Sequence, residues 1–311
     1  MTKAKLSEKI GYGFGDMSSS MFWKIFSYYL PFFYSNIFGL SLAHAGTLLL
    51  VTKLYDAISD PVMGLIADRT STRWGKYRPY LLWIALPFAI AGILAFYTPQ
   101  TDNYTFKHIY AYVTYILMMT VYTAINVPYG AMLGVVTDDS REKSVFSSFR
   151  MFFAFIGSFI SMGIFEPLLR LRSSIIGTLP EKWTIADSAP VDWTIALTVI
   201  GAICAILFFL TFAMTREHVT ESEMAKAEEN HKEEKKNSIM EDLKALFCNA
   251  PWWLLLGGGI SLLLFNCIRG GAAAYYFADV LGVKAIYTLA IFLTVGEISQ
   301  LVGVVVTVPD S

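Results

Sequence analysis

Cysteine, histidine and charged residues are all scarce in this sequence. The three cysteines and four histidines do not stand at the spacings of a zinc site or a disulfide framework, so neither a metal centre nor a cofactor is predicted. Charged residues make up only 16% of the chain, which excludes an ordinary water-soluble domain. The formal net charge of -1 also gives no reason to expect a nucleic acid as a partner.

Apolar residues are abundant instead, and they come in long runs. Hydrophobic residues are 55% of the 311 positions, and the mean hydropathy is +0.51. A bilayer core about 30 Å thick needs roughly 20 apolar residues per spanning helix, and the chain offers about eight such stretches. They lie near residues 10–37, 41–67, 79–98, 106–136, 144–169, 192–214, 251–280 and 285–308. The first is too long for the core of a signal peptide, so it is predicted to remain as a membrane anchor.

Lysine and arginine residues predict how these helices are oriented. If the N-terminus is cytoplasmic, most of the basic residues outside the spans fall in inside segments. The inside set is Lys3, Lys5, Lys9, Arg69, Arg73, Lys76, Arg78, Arg141, Lys143, Arg216, Lys226, Lys232, Lys235, Lys236 and Lys244. The outside set is only Lys107, Arg170, Arg172, Lys182 and Lys284. Because positive residues collect on the cytoplasmic side, the N-terminus is predicted to be cytoplasmic.

A long charged segment divides the predicted helices into six and two. Residues 215–250 are predicted to form a cytoplasmic linker between a six-helix bundle, 1–214, and two further helices within 251–311. Ser238 and Glu241 form a capping box in the linker and predict a short surface helix before the seventh span. Six helices, a charged connector and more helices is the layout of the major facilitator transporters, which have two six-helix bundles. We therefore expect an all-α membrane protein with a complete first bundle and a C-terminally truncated second one.

Two carboxylates interrupt the apolar run of the second helix, in the stretch TKLYDAISDPVMG. A charge at the bilayer centre costs about 2.5–3.5 kcal/mol on insertion scales, so Asp56 and Asp60 are expected to be paired, protonated or solvated. Their spacing of four puts both on one face of the helix. Carboxylate oxygens so close together favour a cation, either Na⁺ or a proton, with Lys53 as an internal counter-charge.

A purely structural role for these acids is the alternative. Asp56 and Asp60 would then pair with Lys53 and Arg150 and fix the packing of the helices. Buried ion pairs stabilise a protein only weakly, because desolvation offsets most of their attraction. We therefore favour a cation site over a packing role.

Two helices carry stripes of aromatic and polar residues that are typical of sugar binding. The stripe on the fourth helix is Tyr115, Tyr122, Asn126 and Tyr129, and that on the first is Tyr12, Asp16, Ser19, Trp23 and Ser27. Aromatic rings stack on the C–H faces of a sugar, and polar groups bind its hydroxyls. Arg150, at the start of the fifth helix, is predicted to donate a forked pair of hydrogen bonds. Either stripe alone is also typical of ordinary packing between helices.

The short loop ADRTSTRWGKYRP, residues 67–79, is dense in arginine and lysine. These basic residues help to orient the chain in the membrane. Asp68, Arg69 and Arg73 are in addition predicted to form a charge lock at a cytoplasmic gate, with helix ends as partners.

Four stretches resemble the glycoside–pentoside–hexuronide:cation symporters, a sugar permease family that includes melibiose permease. They are KIGYGFGDMSS, LYDAISDPVMGLIADRTSTRWGKYRPYLL, INVPYGAM and RGGAAAYYFADVLG, and the resemblance covers about 9–282. It implies the major facilitator fold and cation-coupled sugar uptake by alternating access, with Asp56 and Asp60 as the cation site. It also implies that Thr123 assists the ion and that Arg150 and positions on helices 1 and 4 bind the sugar.

The sequence departs from melibiose permease at several of these positions. Asn126 stands where that protein has an acid on helix 4, and Gly130 where it has an aromatic residue. Its helix 1 lysine and aspartate fall on Ser19 and Ser20, whereas this chain has Asp16 one turn earlier. Asp16 and Asn126 resemble the xyloside and glucoside branch, so galactoside specificity is not expected.

These features predict a sugar or glycoside symporter of a bacterial inner membrane, coupled to Na⁺ or a proton. Its expected partners are the sugar, the coupling ion and the lipid bilayer. A non-transporting sugar-binding protein or sensor is the first alternative. A membrane enzyme is a weaker one, because the chain lacks a nucleophile elbow, a metal motif and a phosphate loop, and one helix cannot place two carboxylates on either side of a glycosidic bond. The 311-residue chain alone is expected to transport little or nothing.

Overall fold

The computed structural model describes residues 5–137, 139–178, 180, 183–218 and 247–276, with residues 280, 291–292, 295–296 and 298–299 further along the chain. Within these residues the chain is all-helical and has no strand, which confirms the predicted all-α class for this part. Two predictions fall outside the described ranges. They are the short linker helix at Ser238 and Glu241 and most of the eighth span near 285–308.

The helices of the described residues match most of the predicted spans. They are α1 (Leu6–Phe32), α2 (Leu42–Arg69), α3 (Arg78–Trp83), α4 (Ala85–Ala95), α5 (Tyr104–Val136), α6 (Ser140–Ile176), α7 (Pro190–Met214) and α8 (Ala250–Tyr275). A π-helical turn, Phe33–Ile37, continues α1, and a 3-10 turn, Ile185–Asp187, precedes α7. In this part of the chain α5, α6, α7 and the first 20 residues of α8 are long and apolar enough to cross a membrane.

The two other long helices, α1 and α2, have 27 and 28 residues but are less apolar. The sequence of α1 includes Asp16 and Lys24, and that of α2 includes Lys53, Asp56 and Asp60. Ionisable residues inside a membrane helix face the protein interior or a water-filled cavity, because lipid cannot solvate them. The polar positions of α1 and α2 are therefore the first candidates for a functional site.

The predicted third span, 79–98, is divided in the structure into α3 and α4. Ile84 separates them, with φ of -93° and ψ of -14°. Pro87 explains the break, because proline has no N–H to donate to the carbonyl of Trp83 and its ring crowds that carbonyl. The apolar pattern of 79–98 continues across the break, so hydropathy alone did not predict it.

Polar caps extend α5 and α6 beyond their apolar stretches. Asn103 Oδ1 accepts a hydrogen bond from the Phe106 N–H at 3.1 Å, and Asp139 Oδ1 accepts one from the Arg141 N–H at 2.9 Å. Such caps bind N–H groups that have no partner within the helix. Gly177 ends α6 in the left-handed conformation, with φ of +74°. Both helices consequently begin before their predicted starts, and α6 ends after its predicted end.

Helix α1 packs on α6, α7 and α8, while α2 packs mainly on α5 and α4 lies against α5 and α7. Gly157 allows α6 to approach α1 closely, because a Cβ at this position would lie 2.5 Å from the Met17 carbonyl oxygen. Aromatic rings fill the space between α1 and α4, where the centroids of Phe22 and Phe88 are 4.5 Å apart. This packing places the polar positions of α1, α2 and α5 near one another.

Candidate functional site

The two acids of α2 line a cavity of about 270 Å³ between α1, α2 and α5. Asp60 Oδ1 accepts a hydrogen bond from Thr123 Oγ1 at 2.8 Å. Asp56 Oδ2 accepts one from Lys53 Nζ at 3.1 Å, and Asp56 Oδ1 is buried without a hydrogen-bond partner among the described residues. Lys53 and Thr123 thus each contact one of the two acids.

An aromatic wall borders the same cavity. The lining residues are Trp23, Lys53, Asp56, Asp60, Met119, Tyr122, Thr123, Asn126 and Val127. The ring centroids of Trp23 and Tyr122 are 5.5 Å apart, so the stripes of α1 and α5 meet here. Lys53 Nζ lies 4.6 Å from the centroid of the Trp23 ring, within the range of a cation–π contact. Lys53 therefore connects the acid pair to the aromatic wall, a contact that the sequence did not predict.

Arg150 makes its forked pair of hydrogen bonds with Asp16. Arg150 Nε is 2.8 Å from Asp16 Oδ2, and Arg150 Nη2 is 3.3 Å from Asp16 Oδ1. The guanidinium carbon lies 4.9 Å from the Tyr129 ring and 5.7 Å from the Tyr12 ring. The pairing of Arg150 with the acids of α2, which the packing alternative required, is absent from the described contacts. That part of the structural alternative is wrong.

Tyr122 connects the acid pair of α2 with the ion pair of α1 and α6. It lies within electrostatic range of Asp16 and also of Asp56 and Asp60. Asn126, one turn further along α5, donates from Nδ2 to the Tyr122 carbonyl at 3.1 Å. Among the described residues no hydrogen bond is found for its Oδ1 or for its second N–H. Tyr122 therefore lies near both groups of charged side chains, although Asp16 and Arg150 do not line the cavity.

Four of the predicted sugar-binding residues do not line the cavity, namely Asp16, Ser19, Tyr129 and Arg150. Two of these four, Ser19 and Tyr129, lie buried in helix packing. Tyr129 is 1% exposed and Ser19 is 4% exposed. Tyr129 Oη donates to the Tyr12 carbonyl at 2.6 Å, and Tyr12 Oη donates to the Tyr129 carbonyl at 3.1 Å, with the rings stacked 4.8 Å apart. These reciprocal hydrogen bonds join α1 to α5. Helical spacing assigned both residues to a stripe but did not show which positions a neighbouring helix covers.

The three predicted gate residues, Asp68, Arg69 and Arg73, lie at the end of α2 and in the loop before α3. Asp68 Oδ1 accepts a hydrogen bond from Tyr77 Oη at 2.7 Å and lies 3.5 Å from Lys76 Nζ. The Arg73 guanidinium lies 4.4 Å over the neighbouring tryptophan ring. For Arg69 the described part of the chain shows no ion pair. The contacts found for the gate residues therefore remain within this loop.

The same loop is held by Glu217, which the sequence analysis missed. The backbone N–H groups of Lys76, Tyr77 and Arg78 donate to its carboxylate at 2.8, 2.8 and 2.9 Å. Gly75 makes this possible, since it has φ of +113° and a Cβ there would overlap the carboxylate. We call this contact the Glu217 clip. It joins the loop after α2 to the segment after α7. Because the donors are backbone groups, no pattern of residue types in the sequence predicts this contact.

Known proteins that are similar to this chain include sugar transporters, as the four sequence stretches predicted. Residues 11–309 match the family described as MFS/sugar transport protein. The "Putative glycoside/cation symporter YagG" of Escherichia coli is 38% identical, over 97% of this chain and 60% of the relative. The "Inner membrane symporter YicJ" of the same organism is 35% identical, over 96% and 59%. The "Isoprimeverose transporter" of Lactiplantibacillus pentosus is 32% identical, over 93% and 58%.

The chain thus spans about 60% of the length of the curated relatives that it matches. The family match covers nearly the whole chain, and the resemblance to the glycoside–pentoside–hexuronide:cation symporters is confirmed. The chain belongs to the MFS/sugar transport protein family, whose named members are membrane transporters and not enzymes.

Proposed function

We propose that this protein is a cation-coupled sugar symporter of a bacterial inner membrane, with its N-terminus in the cytoplasm. The observation that carries the proposal is the cavity in which the Asp56 and Asp60 carboxylates lie beside the Trp23 and Tyr122 rings. The names of the relatives support it, since they include a glycoside/cation symporter, an inner membrane symporter and an isoprimeverose transporter.

The fold proposed for this function has two bundles. Residues 1–214 form a six-helix bundle, 215–250 form a cytoplasmic linker, and 251–311 contribute two helices to the second bundle. The two bundles rock against each other, so that the site opens to one side of the membrane at a time. The gate residues Asp68, Arg69 and Arg73 lie on the cytoplasmic side of the membrane, where the site opens and closes during this movement.

The cation binds to Asp56 and Asp60, with Thr123 as a further oxygen ligand. Carboxylate and hydroxyl oxygens are the ligands that a hard cation such as Na⁺ prefers, whereas a proton needs only one carboxylate. Lys53 Nζ, 3.1 Å from Asp56, balances the charge when the cation is absent. An arriving cation repels Lys53 and takes its place beside Asp56.

The sugar binds on the aromatic wall and on the polar groups next to it. Its proposed contacts are Trp23, Tyr122, Asn126, Asp16 and Arg150. The buried residues Ser19 and Tyr129 hold the helices that carry these contacts in position. Because Lys53 lies over the Trp23 ring, it covers a face on which a sugar would stack. A cation that displaces Lys53 therefore also uncovers the Trp23 face. Binding is thus ordered, cation first and sugar second, which is the basis of the proposed coupling.

Uptake by membrane vesicles tests the proposal. Radiolabelled isoprimeverose, the sugar after which one relative is named, serves as the probe. Because the 311-residue chain alone is expected to transport little or nothing, the vesicles carry a full-length counterpart with a complete second bundle. In this counterpart we expect an inward Na⁺ or proton gradient to stimulate uptake, and Asp56→Asn and Asp60→Asn to abolish the stimulation. Asp102→Asn, a change of an exposed acid in the loop before α5, is the matched control and should leave it unchanged.

Two results would contradict the proposal. The first is cation-stimulated uptake by Asp60→Asn equal to that of the unchanged chain. The second is saturable binding of sugar by the full-length counterpart without any flux, which would favour the alternative of a sugar-binding protein or sensor.

A further inference from the structure

A buried acid, Glu166, lies on α6, away from the cavity between α1, α2 and α5. Glu166 is 5% exposed and does not line that cavity. Arg170 lies one turn further along α6, and Tyr29 of α1, which is 1% exposed, is within electrostatic range of Glu166. The acid is therefore enclosed where α1 and α6 pack, near the end of α6. Neither the proposed cation site nor the proposed sugar site uses it.

Glu166 receives little compensation for its burial. Arg170 Nη2 is 3.8 Å from Glu166 Oε2, which is beyond hydrogen-bond distance. Glu166 Oε1 has no hydrogen-bond partner within the part of the chain that the structure describes, and the same holds for Tyr29 Oη. The Arg170 guanidinium is also engaged elsewhere, 4.4 Å over the Trp183 ring. An ionised carboxylate at this place lacks the donors that a buried charge requires.

Another buried acid, Asp192 near the start of α7, shows how a buried carboxyl group is surrounded when hydrogen-bond donors are available. Its side chain is fully enclosed, yet Arg172 donates to it twice, from Nε at 2.5 Å and from Nη2 at 3.4 Å. The Ala189 backbone N–H donates to it at 2.8 Å. Asp192 thus has three donors, whereas Glu166 has a single distant cation. The two buried acids therefore differ in the hydrogen-bond donors that they have.

We propose that Glu166 holds a proton at neutral pH and that the junction of α1 and α6 is a proton-binding site. A neutral carboxyl group avoids the desolvation penalty of a carboxylate and needs fewer hydrogen-bond donors, which is what this position offers. The site is separate from Asp56 and Asp60, which lie on α2 and face α5. It does not depend on the proposed symport, because it holds its proton whichever cation drives uptake.

The groups that face Glu166 come from three elements. Arg170, on the same helix, is the cation that favours the ionised form, but only at 3.8 Å. Tyr29, on α1, is a neutral phenol at neutral pH, and the loop before α7 contributes Trp183, which has no titratable group. The balance of these groups favours the protonated form of Glu166.

Infrared spectroscopy of the purified 311-residue chain tests the proposal, because only a protonated carboxyl group has a C=O stretching band that shifts in D₂O. We expect this band at neutral pH in the unchanged chain and its loss in Glu166→Gln. Glu142→Gln is the matched control on the same helix, since Glu142 pairs with Lys9 at 3.2 Å, and it should keep the band. Absence of the band from the unchanged chain, or its full persistence in Glu166→Gln, would overturn the proposal.

Arg170→Gln keeps the proposal testable even where Glu166→Gln fails to fold. If Glu166 already holds a proton, removal of the Arg170 charge leaves the area of the carboxyl band unchanged. If Glu166 is ionised and held by Arg170, the same substitution produces a new band. A new band would therefore refute the protonated state, and an unchanged band would support it.

Discussion

Among single residues, Lys53 touches both parts of the proposed site. Its ammonium group is 3.1 Å from Asp56 and 4.6 Å from the Trp23 ring. A cation–π contact contributes about 0.5–2 kcal/mol, so releasing it changes a binding constant by several-fold up to roughly thirtyfold. In the proposed mechanism, displacement of this one side chain by the cation would make sugar binding depend on the cation.

Lys53→Met tests this role. The methionine leaves the Trp23 face uncovered, so we expect sugar to bind several-fold more tightly without cation and to respond less to added NaCl. Isotherms for isoprimeverose, measured with and without NaCl, give both quantities. Lys24→Met is the control, because Lys24 lies 5.6 Å over the Tyr28 ring, which does not line the cavity. An unchanged response to NaCl in Lys53→Met would remove Lys53 from the coupling mechanism.

Arg150 donates two parallel hydrogen bonds to Asp16, and we call this pair the Arg150 fork. In Arg150→Lys the ammonium group cannot reproduce two parallel hydrogen bonds to Asp16. Loss of a charged hydrogen bond costs about 1.5–3 kcal/mol, so we expect sugar affinity to fall by roughly tenfold or more. Arg172→Lys removes a similar fork, to Asp192 outside the cavity, and should not alter sugar affinity. Equal effects of the two substitutions would show that the Arg150 fork is structural only.

At the scale of helices, the contact between α1 and α6 depends on Gly157. In Gly157→Ala the new Cβ would meet the Met17 carbonyl oxygen at 2.5 Å, so the helices must separate, at a cost of about 1–3 kcal/mol. Gly163→Ala is the control on the same helix, because a Cβ there has no heavy atom within 4 Å. Thermal unfolding in detergent should show a lower melting temperature for Gly157→Ala only. An equal loss of stability in both would contradict this account, because alanine is the better helix former and the contact with Met17 exists only at Gly157.

The Glu217 clip is expected to hold the loop between α2 and α3 against the end of α7. Glu217→Ala removes the acceptor of three backbone N–H groups, so the loop should open more often. Trypsin cleaves after Arg73 and Lys76, and we expect faster cleavage there in Glu217→Ala. Glu142→Ala, which removes an acid far along the chain from this loop, should leave that rate unchanged. Equal cleavage rates in both variants would show that the clip does not restrain the loop.

Hydropathy predicted most helices, because apolar runs and spanning length are local properties of a sequence. It missed the division of the third span at Ile84, since that break comes from one missing N–H at Pro87. It also missed the polar caps that lengthen α5 and α6. The Glu217 clip could not be predicted for a different reason. It joins positions 141 apart in the chain, and its donors are backbone N–H groups, which almost every residue type has.

At the scale of the whole molecule, the candidate site depends on how four helices meet. Spacing predicted that Asp56 and Asp60 share a face, and the structure places Lys53 and Thr123 against them. Spacing did not predict that Tyr129 would be covered, because which side of a helix is buried depends on its neighbours. The side of α2 that carries Leu50, Leu54 and Ile58 is exposed in this chain. In the proposed two-bundle transporter we expect this side to face the second bundle or lipid.

Equilibrium binding of radiolabelled Na⁺ to the purified chain, with proton release measured in parallel, tests the central claim that Asp56 and Asp60 form the cation site. We predict saturable cation or proton binding by the unchanged chain and by Asp102→Asn, and its loss in Asp60→Asn. Cation and proton binding by Asp60→Asn with unchanged affinity and stoichiometry would contradict the account.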